Sequence, residues 1–393
     1  MIIPRLALRN ILGGRLRTWL NVLVLSFSYV AIVLFQGLYR GMDEQVSRFK
    51  IESEYGGGQY WQEGYDALDP LSIEDAHAVL PPALVRLVKN GRATAVLIAP
   101  GTLYPGGRVM PVQIKGIDPG QKIVVLPTAV LAGPQSDGDI PALIGERMAK
   151  GAGLKVGDTV TLRWREAGGS FNALDIRIAE VVSSPNPAID AGQVWLALNS
   201  VRMMTRMDGQ ATLVILGKNV SDRPEAPGWA FKSLDVLLSD IKAIVRSKSA
   251  GASIFYTLLL LLAMLAIFDT QVLSIFRRRR EIGMLMAMGM TRRAVIGLFT
   301  LEGALHGVLA ALLAALYGTP LALLLVRNGW ALPKGTDSSY GMALGDKLFP
   351  VYGVVLVLGT TILVLTVTTI VSYLPTRRIS KMKPTDALRG RMS

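Results

Sequence analysis

The spacing of four long apolar stretches constrains this chain more than any other feature of its sequence. About 20 apolar residues, each rising 1.5 Å in a helix, cross the hydrocarbon of a bilayer. One such stretch runs from Thr18 to Tyr39 between Arg17 and Arg40. A second follows Lys248 and reaches about Phe276, interrupted by Asp269 and containing the run Tyr256 to Phe268. A third lies between Arg293 and Arg327 with Glu302 and His306 near its start, and a fourth, free of charge, lies between Lys347 and Arg377. The fold class expected is therefore membrane α-helical with four transmembrane helices, grouped as one and three around about 200 intervening residues. Composition agrees, since 51% of the 393 residues are hydrophobic, 18% are charged and the mean hydropathy is +0.40. An apolar surplus of that size needs lipid.

Charge sets the expected orientation. Lys and Arg number 42 against 29 Asp and Glu, a net +13. The excess gathers in three short flanks: Arg5, Arg9, Arg15 and Arg17; Arg277, Arg278, Arg279, Arg280, Arg292 and Arg293; and Arg377, Arg378, Lys381, Lys383, Arg389 and Arg391. Basic flanks prefer the cytoplasm. All three share that side only if both termini are cytoplasmic. The expected layout is then a cytoplasmic segment 1–17, spans at 18–40, 249–276, 294–327 and 349–375, an outer domain 41–248, a cytoplasmic loop 277–293, a short outer loop 328–348 and a cytoplasmic tail 376–393. A cleaved signal peptide is the competing reading of the first span. Its apolar stretch exceeds a signal's core, and Phe35, Gln36 and Tyr39 offer no small-residue cleavage pattern. Ile2 to Leu16 reads either as an amphipathic surface helix, with Ile3, Leu6, Leu8, Ile11 and Leu12 facing lipid, or as a plain basic flank.

The outer segment has the texture of an α+β domain inserted between the first and second spans. Strands are expected at Thr94–Ile98, Val109–Ile117, Lys122–Leu126, Ala142–Ile144, Thr159–Trp164, Asp175–Val182, Gln193–Leu198 and Ala211–Leu216. Helices are expected at Ile73–Lys89, Glu146–Ala152, Ser200–Met207 and Ser233–Arg246. Gly56, Gly57 and Gly58 read as a flexible lead-in, and Pro224 to Pro227 as a turn.

Enzyme chemistry finds no foothold. The chain has no cysteine and only two histidines, His77 and His306. Neither has a metal-ligand companion at useful spacing. No nucleophile elbow, no His-Glu-x-x-His and no phosphate-binding Gly-x-x-x-x-Gly-Lys-Ser/Thr occurs. Asp66, Asp69, Glu74 and Asp75 suit helix capping and solvation. Catalytic, cofactor and metal residues are all expected to be absent, and no nucleic-acid partner is expected.

The loop between the second and third apolar stretches carries most of the information. Phe276 is followed by four arginines, then Glu281-Ile-Gly-Met-Leu-Met-Ala-Met-Gly-Met-Thr-Arg-Arg293. Ile282, Leu285, Met286 and Gly289 fall at helical spacing, which predicts a short amphipathic helix at the membrane surface. Such a helix rests on lipid or fills a partner's groove. Methionine suits a groove that changes shape, because its side chain is flexible and polarizable.

These residues resemble the signature of the FtsX/MacB/LolC-type (type VII, mechanotransmission) ABC permeases: Arg-Glu-Ile, a short gap, Leu-Arg-Ala-Leu-Gly and a basic pair. Met286 and Met288 replace the commoner Arg and Leu. Ala7-Leu8-Arg9-Asn10, Leu301-Glu302-Gly303, Tyr373-Leu-Pro-Thr-Arg-Arg378, Pro384-Thr-Asp-Ala-Leu-Arg389 and, in the outer segment, Ile144-Gly-Glu-Arg-Met-Ala149 with Gly153-Leu-Lys-Val-Gly-Asp158 are similar to other parts of that family. The resemblance implies a non-catalytic permease subunit that pairs with an identical or different second permease and docks on a dimer of ABC ATPase chains, which hold the ATP and Mg. It implies that Arg280, Glu281, Ile282, Met284, Leu285, Met288, Gly289, Arg292 and Arg293 form the ATPase-binding coupling helix. Asp269 and Glu302 remain as intramembrane polar residues, each expected to snorkel or to pair with a neighbouring base. Gly116-Ile-Asp-Pro119 is similar to the lipoprotein-releasing members, which points to lipoprotein or another lipid-like substrate and a possible periplasmic chaperone. Efflux of peptide, antibiotic or glycolipid through a periplasmic adaptor is the alternative, as is control of a cell-wall hydrolase.

Overall fold

The computed structural model describes residues 16–133, 140–183, 187–331 and 347–377. The expected surface helix at 2–16 up to its last residue, most of the short outer loop and the tail beyond Arg377 lie outside the described residues. The chain divides into two compact units. Of the described residues, one holds 16–42, 244–331 and 347–377; the other holds 43–133, 140–183 and 187–243.

Among the described residues, four helices are long and apolar enough to cross a membrane. They are α1 (Leu16–Lys50) and, past the α/β unit in chain order, α7 (Ser239–Arg277), α9 (Arg292–Asn328) and α10 (Val354–Thr376). In the helical unit they share a seam of Val22, Leu25 and Tyr29 from α1, Leu260, Ala263 and Ile267 from α7, Ala310 and Ala314 from α9, and Val364 and Val371 from α10. Leu23, Phe27, Leu262, Leu265, Leu312 and Leu358 point outward and are exposed, as a lipid-facing surface requires. Small residues bring α9 and α10 together. A Cβ at Gly303 would run into Ser372, and one at Gly307 into Thr368. The pair forms a Gly-x-x-x-Gly face, which permits close helix approach in the absence of a hydrophobic driving force.

Between α1 and α7 in sequence stands the α/β unit: β1 (Gln59–Gln62), β2 (Ala78–Val79), α2 (Pro82–Lys89), β3 (Ala93–Leu103), β4 (Met110–Ile117), β5 (Ile140–Gly145), α3 (Glu146–Ala152), β6 (Thr159–Arg165), β7 (Phe171–Val182), α4 (Pro187–Gly192), β8 (Gln193–Ala197), α5 (Leu198–Thr205), β9 (Gln210–Ala211), β10 (Leu213–Leu216), β11 (Trp229–Lys232) and α6 (Leu234–Leu237). Nine strands form one sheet in the order β11-β1-β10-β3-β4-β8-β5-β7-β6. β4–β8 and β5–β7 run parallel and the other pairs antiparallel. The end of β3 also pairs with β6, which closes six strands into a ring and leaves β10, β1 and β11 as an extension. Burial follows position. Central β5 and β8 are buried at every residue, as strands covered on both faces must be, whereas β6 alternates between exposed and buried. One core cluster holds Leu97, Ile114, Leu162, Trp164 and Val201; the other holds Ile98, Ile117, Leu131, Ile189 and Trp195.

Four expectations are corrected. The helix at Ile73–Lys89 is three pieces, a 3-10 turn Pro70–Glu74, strand β2 and helix α2, because Pro81 and Pro82 cannot continue a helix and instead begin one. Lys122–Leu126 is no strand: the Gln121 side chain accepts from the Ile123 and Val124 amides at 2.7 and 2.9 Å, folding the segment into a local turn. The helix at Ser233–Arg246 is a single turn, α6, followed by the start of α7. The triglycine is not flexible. The Gly57 amide donates to the Leu216 carbonyl at 2.7 Å, and Leu216 donates back to Gly58 at 2.9 Å. Side chains at all three positions would collide, at Gly56 with Leu216, at Gly57 with Gly217 and at Gly58 with Phe231. The glycines let the backbone of the α1 extension dock directly on β10.

This packing predicts a ranking. Gly56 (φ 56°) and Gly91 (φ 67°) both need positive φ, but only Gly56 is crowded. Gly91→Ala is expected to cost about 1–2 kcal/mol and Gly56→Ala about 3–4 kcal/mol, through the added backbone collision. Denaturant unfolding of the detergent-solubilised chain, followed by tryptophan fluorescence, measures both; equal losses would refute the docking role of the triglycine.

Candidate coupling site

After α7 ends at Arg277, the chain turns once and forms α8 (Arg279–Ala287). Its stop is encoded locally. Gly289 adopts φ 95°, its amide donates to the Met286 carbonyl, and the Met290 amide donates to Leu285 at 3.0 Å. These two bonds are a Schellman cap, for which glycine is the natural residue. Thr291 then caps α9, its hydroxyl accepting from the Ala294 amide at 3.3 Å. The Met-Gly-Met-Thr run is thus a paired stop and start.

Helix α8 has two unlike faces. Ile282, fully buried, packs with Ile275, Val295 and Phe299, and Met286, Met290 and Ile296 lean on that cluster. Met284 and Met288 are 54% and 70% exposed, with Arg280, Glu281, Arg292 and Arg293 exposed beside them and Leu285 half-buried. Ile282 holds the helix to its own bundle, and Gly289 lies in the cap, off the helical face.

Arg278 organises the junction. Its Nε donates to Glu281 at 2.7 Å, and its Nη1 donates to both oxygens of Glu302 at 3.1 and 3.3 Å. Its guanidinium lies 5.0 Å from the Phe299 ring centroid, within cation–π range. One side chain thus joins the end of α7, the start of α8 and the first turns of α9. Sequence reasoning did not single out Arg278 from the four-arginine run; the signal that could have found it is Glu302, since an intramembrane carboxylate demands a nearby cation. The Glu302 carbonyl oxygen lies 2.9 Å from His306 Nδ1. Asp269 is separate from this group. It is exposed and has no ion pair among the described residues, while Thr270 beside it accepts from Asn21 at 2.6 Å.

Two family models match the chain: MacB-like periplasmic core domain over residues 18–227, more than half of the sequence, and FtsX-like permease C-terminal over residues 253–384. The chain belongs to the FtsX/MacB/LolC-type ABC permeases. The permease is similar to the macrolide export ATP-binding/permease protein MacB of Sodalis glossinidius, at 23% identity covering 98% of this chain, and it spans 60% of that relative's length. It is also similar to the lipoprotein-releasing system transmembrane protein LolC of Xylella fastidiosa (strain 9a5c), at 21% identity covering 80% of each chain. Among solved structures, the extracellular domain of the noncanonic ABC-type transporter YknZ from Gram-positive bacteria matches with 13% identity, 42% of this permease, 84% of that chain and a TM-score of 0.27; so loose a likeness does not bear on the fold.

The hub at Arg278 predicts strong coupling. Removing one partner of a largely desolvated pair leaves an uncompensated charge, expected to cost about 3 kcal/mol, whereas replacing both costs less. Thermal unfolding of Arg278→Gln, Glu302→Gln and the double variant in detergent is expected to show the double variant at least as stable as either single one. Simple additivity of the two losses would show that the pair does not hold the junction.

Proposed function

We propose that this permease is one half of an ATP-coupled pair whose engine is a separate dimer of ABC ATPase chains, and that α8 is the element that engine grips. The observation carrying this reading is the division of α8: an exposed Met284/Met288 surface ringed by Arg280, Arg292 and Arg293, fixed from behind by Ile282 and Arg278. Two flexible, polarizable side chains make an adaptable apolar contact. The basic rim gives orientation and on-rate. Because the rear face is packed, force applied to the exposed face passes to α7 and α9 and is not absorbed by a loose loop.

In this reading residues 18–40, 249–276, 294–327 and 349–375 cross a bacterial inner membrane, both termini and α8 lie in the cytoplasm, and residues 41–248 lie outside. The bias of Lys and Arg in the short flanks supports that orientation. A second permease copy, identical or different, completes the bundle, and ATP-driven closure moves the outer domain through α1 and α7. ATP and Mg sit on the partner chains, and this chain performs no catalysis.

The substrate proposed is a lipoprotein or another lipid-like molecule taken at the outer face of the inner membrane, with a periplasmic chaperone to receive it. The even coverage of LolC, 80% of both chains, favours this over a second reading, efflux with a periplasmic adaptor, which rests on MacB being named for macrolide export. Mass spectrometry of molecules retained by the purified complex separates the two.

The division of α8 yields a direct test. Met284→Asp and Met288→Asp are expected to reduce copurification of the ATPase at least tenfold while membrane insertion and thermal stability stay unchanged. Ile282→Asp is expected to destabilise the helical unit itself, and so serves as the contrast. Wild-type recovery of ATPase activity with both methionine variants would sink the assignment of α8.

A further inference from the structure

The α/β unit holds a cleft that the coupling reading does not use. Its volume is about 250 Å³, just below the range of typical ligand pockets and enough for a head group or a short chain. Its floor is one face of the sheet. Lys232, Gln59 and Ile215 stand opposite one another on β11, β1 and β10. Trp61, Leu213 and Val96 form the next row across β1, β10 and β3, and Lys115 faces Trp195 across β4 and β8. The walls come from Tyr65 and Leu68 on one side, and from Leu237 and Asp240 on the lead-in to α7.

Lys115 is the unusual component. A lysine on a central strand is rarely buried, yet this one is 5% exposed. Its ammonium lies 5.1 Å from the Trp195 ring. Of its three donor hydrogens, the structure engages one, given to Glu54 Oε1 at 3.3 Å. The same carboxylate is shared, because Glu54 Oε2 accepts from Lys50 at 2.9 Å. One acid thus serves two bases, with Lys232 a third cation on the floor. Burial pushes the Lys115 ammonium below the ordinary lysine value, with Glu54 acting in the opposite direction, which places it where an added anion would be strongly felt. Asp66 and Asp240 also line the cleft, but both are exposed to solvent and are screened there.

We infer that this cleft binds an anionic group carried on an apolar body, the head seated against Lys115 and the body against Trp61, Tyr65 and Leu237. The chemistry is that of a carboxylate or phosphate on an alkyl chain. The apolar walls favour an amphiphile over a bare ion, so the body is required for binding. Nothing in this assignment depends on α8 or on an ATPase.

Equilibrium dialysis of the full chain in lipid nanodiscs, with empty nanodiscs subtracted, tests it using octyl phosphate, octanoate, octanol and inorganic phosphate. Saturable binding of at least one octyl acid at one per chain is expected, with octanol and inorganic phosphate at least tenfold weaker. The stronger of the two acids identifies a phosphate-headed or a carboxylate-headed ligand. Lys115→Met is expected to weaken that binding at least tenfold. Leu237→Trp, which fills the cleft from an element other than those carrying Lys115 and Glu54, is expected to abolish it, and it decides the matter should Lys115→Met fail to fold. Octanol binding as tightly as the acids, no saturable binding of either acid, or undiminished binding by Leu237→Trp would overturn the proposal.

Discussion

A carboxylate placed two to three turns into an apolar helix must find a cation or give up its charge, and Glu302 finds Arg278. The consequences spread from that contact. Arg278 cannot reach Glu302 unless the chain turns sharply after Arg277, and the turn sets where α8 begins. Glu281 is held by the same guanidinium. On α8, Ile282 is buried and Met284 and Met288 turn outward. The orientation of the exposed methionine surface thus rests on the packing of Ile282 together with the Arg278 junction behind it.

A comparable economy governs the α/β unit. Its chain enters from α1 through the π-helical turn Ile51–Tyr55 and the triglycine, a segment with no side chains to pack at its last three positions. Backbone pairing takes their place: Gly57 and Gly58 exchange hydrogen bonds with Leu216, and Glu54 reaches Lys115 on β4. Within the α/β unit the splice is held to the sheet by two backbone hydrogen bonds and an ion pair whose lysine is buried. A π-helical turn is itself costly and concentrates at functional positions, which fits a segment that must stay in register with the sheet.

Much of this was legible in the sequence, and the failures have physical causes. Apolar length located all four long helices, because a bilayer leaves a helical span little alternative. Strands β3 to β8 were found where alternation or apolar runs were strong, with ends misplaced by up to five residues. β1 and β11 were missed because each has four residues lying beside glycine or proline, too short to show a period. Reading Gly56 to Gly58 as flexible applied the average behaviour of glycine to a place where its lack of a side chain, and not its freedom, is what the fold uses. The inward turn of Ile282 was not legible for a related reason. Helical spacing reveals that a face is apolar; it does not say whether that face turns inward or toward a partner.

Asp269 and Glu302 show how far phase can be read. Both are single carboxylates near the end of an apolar stretch that adjoins the arginine-rich loop, and composition treats them alike. Glu302 lies on the same side of α9 as Phe299, His306 and Ala310, all buried, and is followed by Gly303, whose missing side chain accommodates Ser372 of α10. Asp269 lies on the side of α7 that carries Leu258, Leu262 and Leu265, all exposed. The glycine pair at 303 and 307 is a visible mark of a helix face pressed against a neighbour, since close approach is what small residues permit in a membrane. No such mark accompanies Asp269. It stands eight residues before Arg277, about 12 Å along the helix; among the described residues nothing pairs it or covers it, and there the carboxylate meets its solvation needs from the outer surface of the bundle. The two acids differ because one is followed by glycines that admit a second helix and the other is preceded by leucines that face lipid.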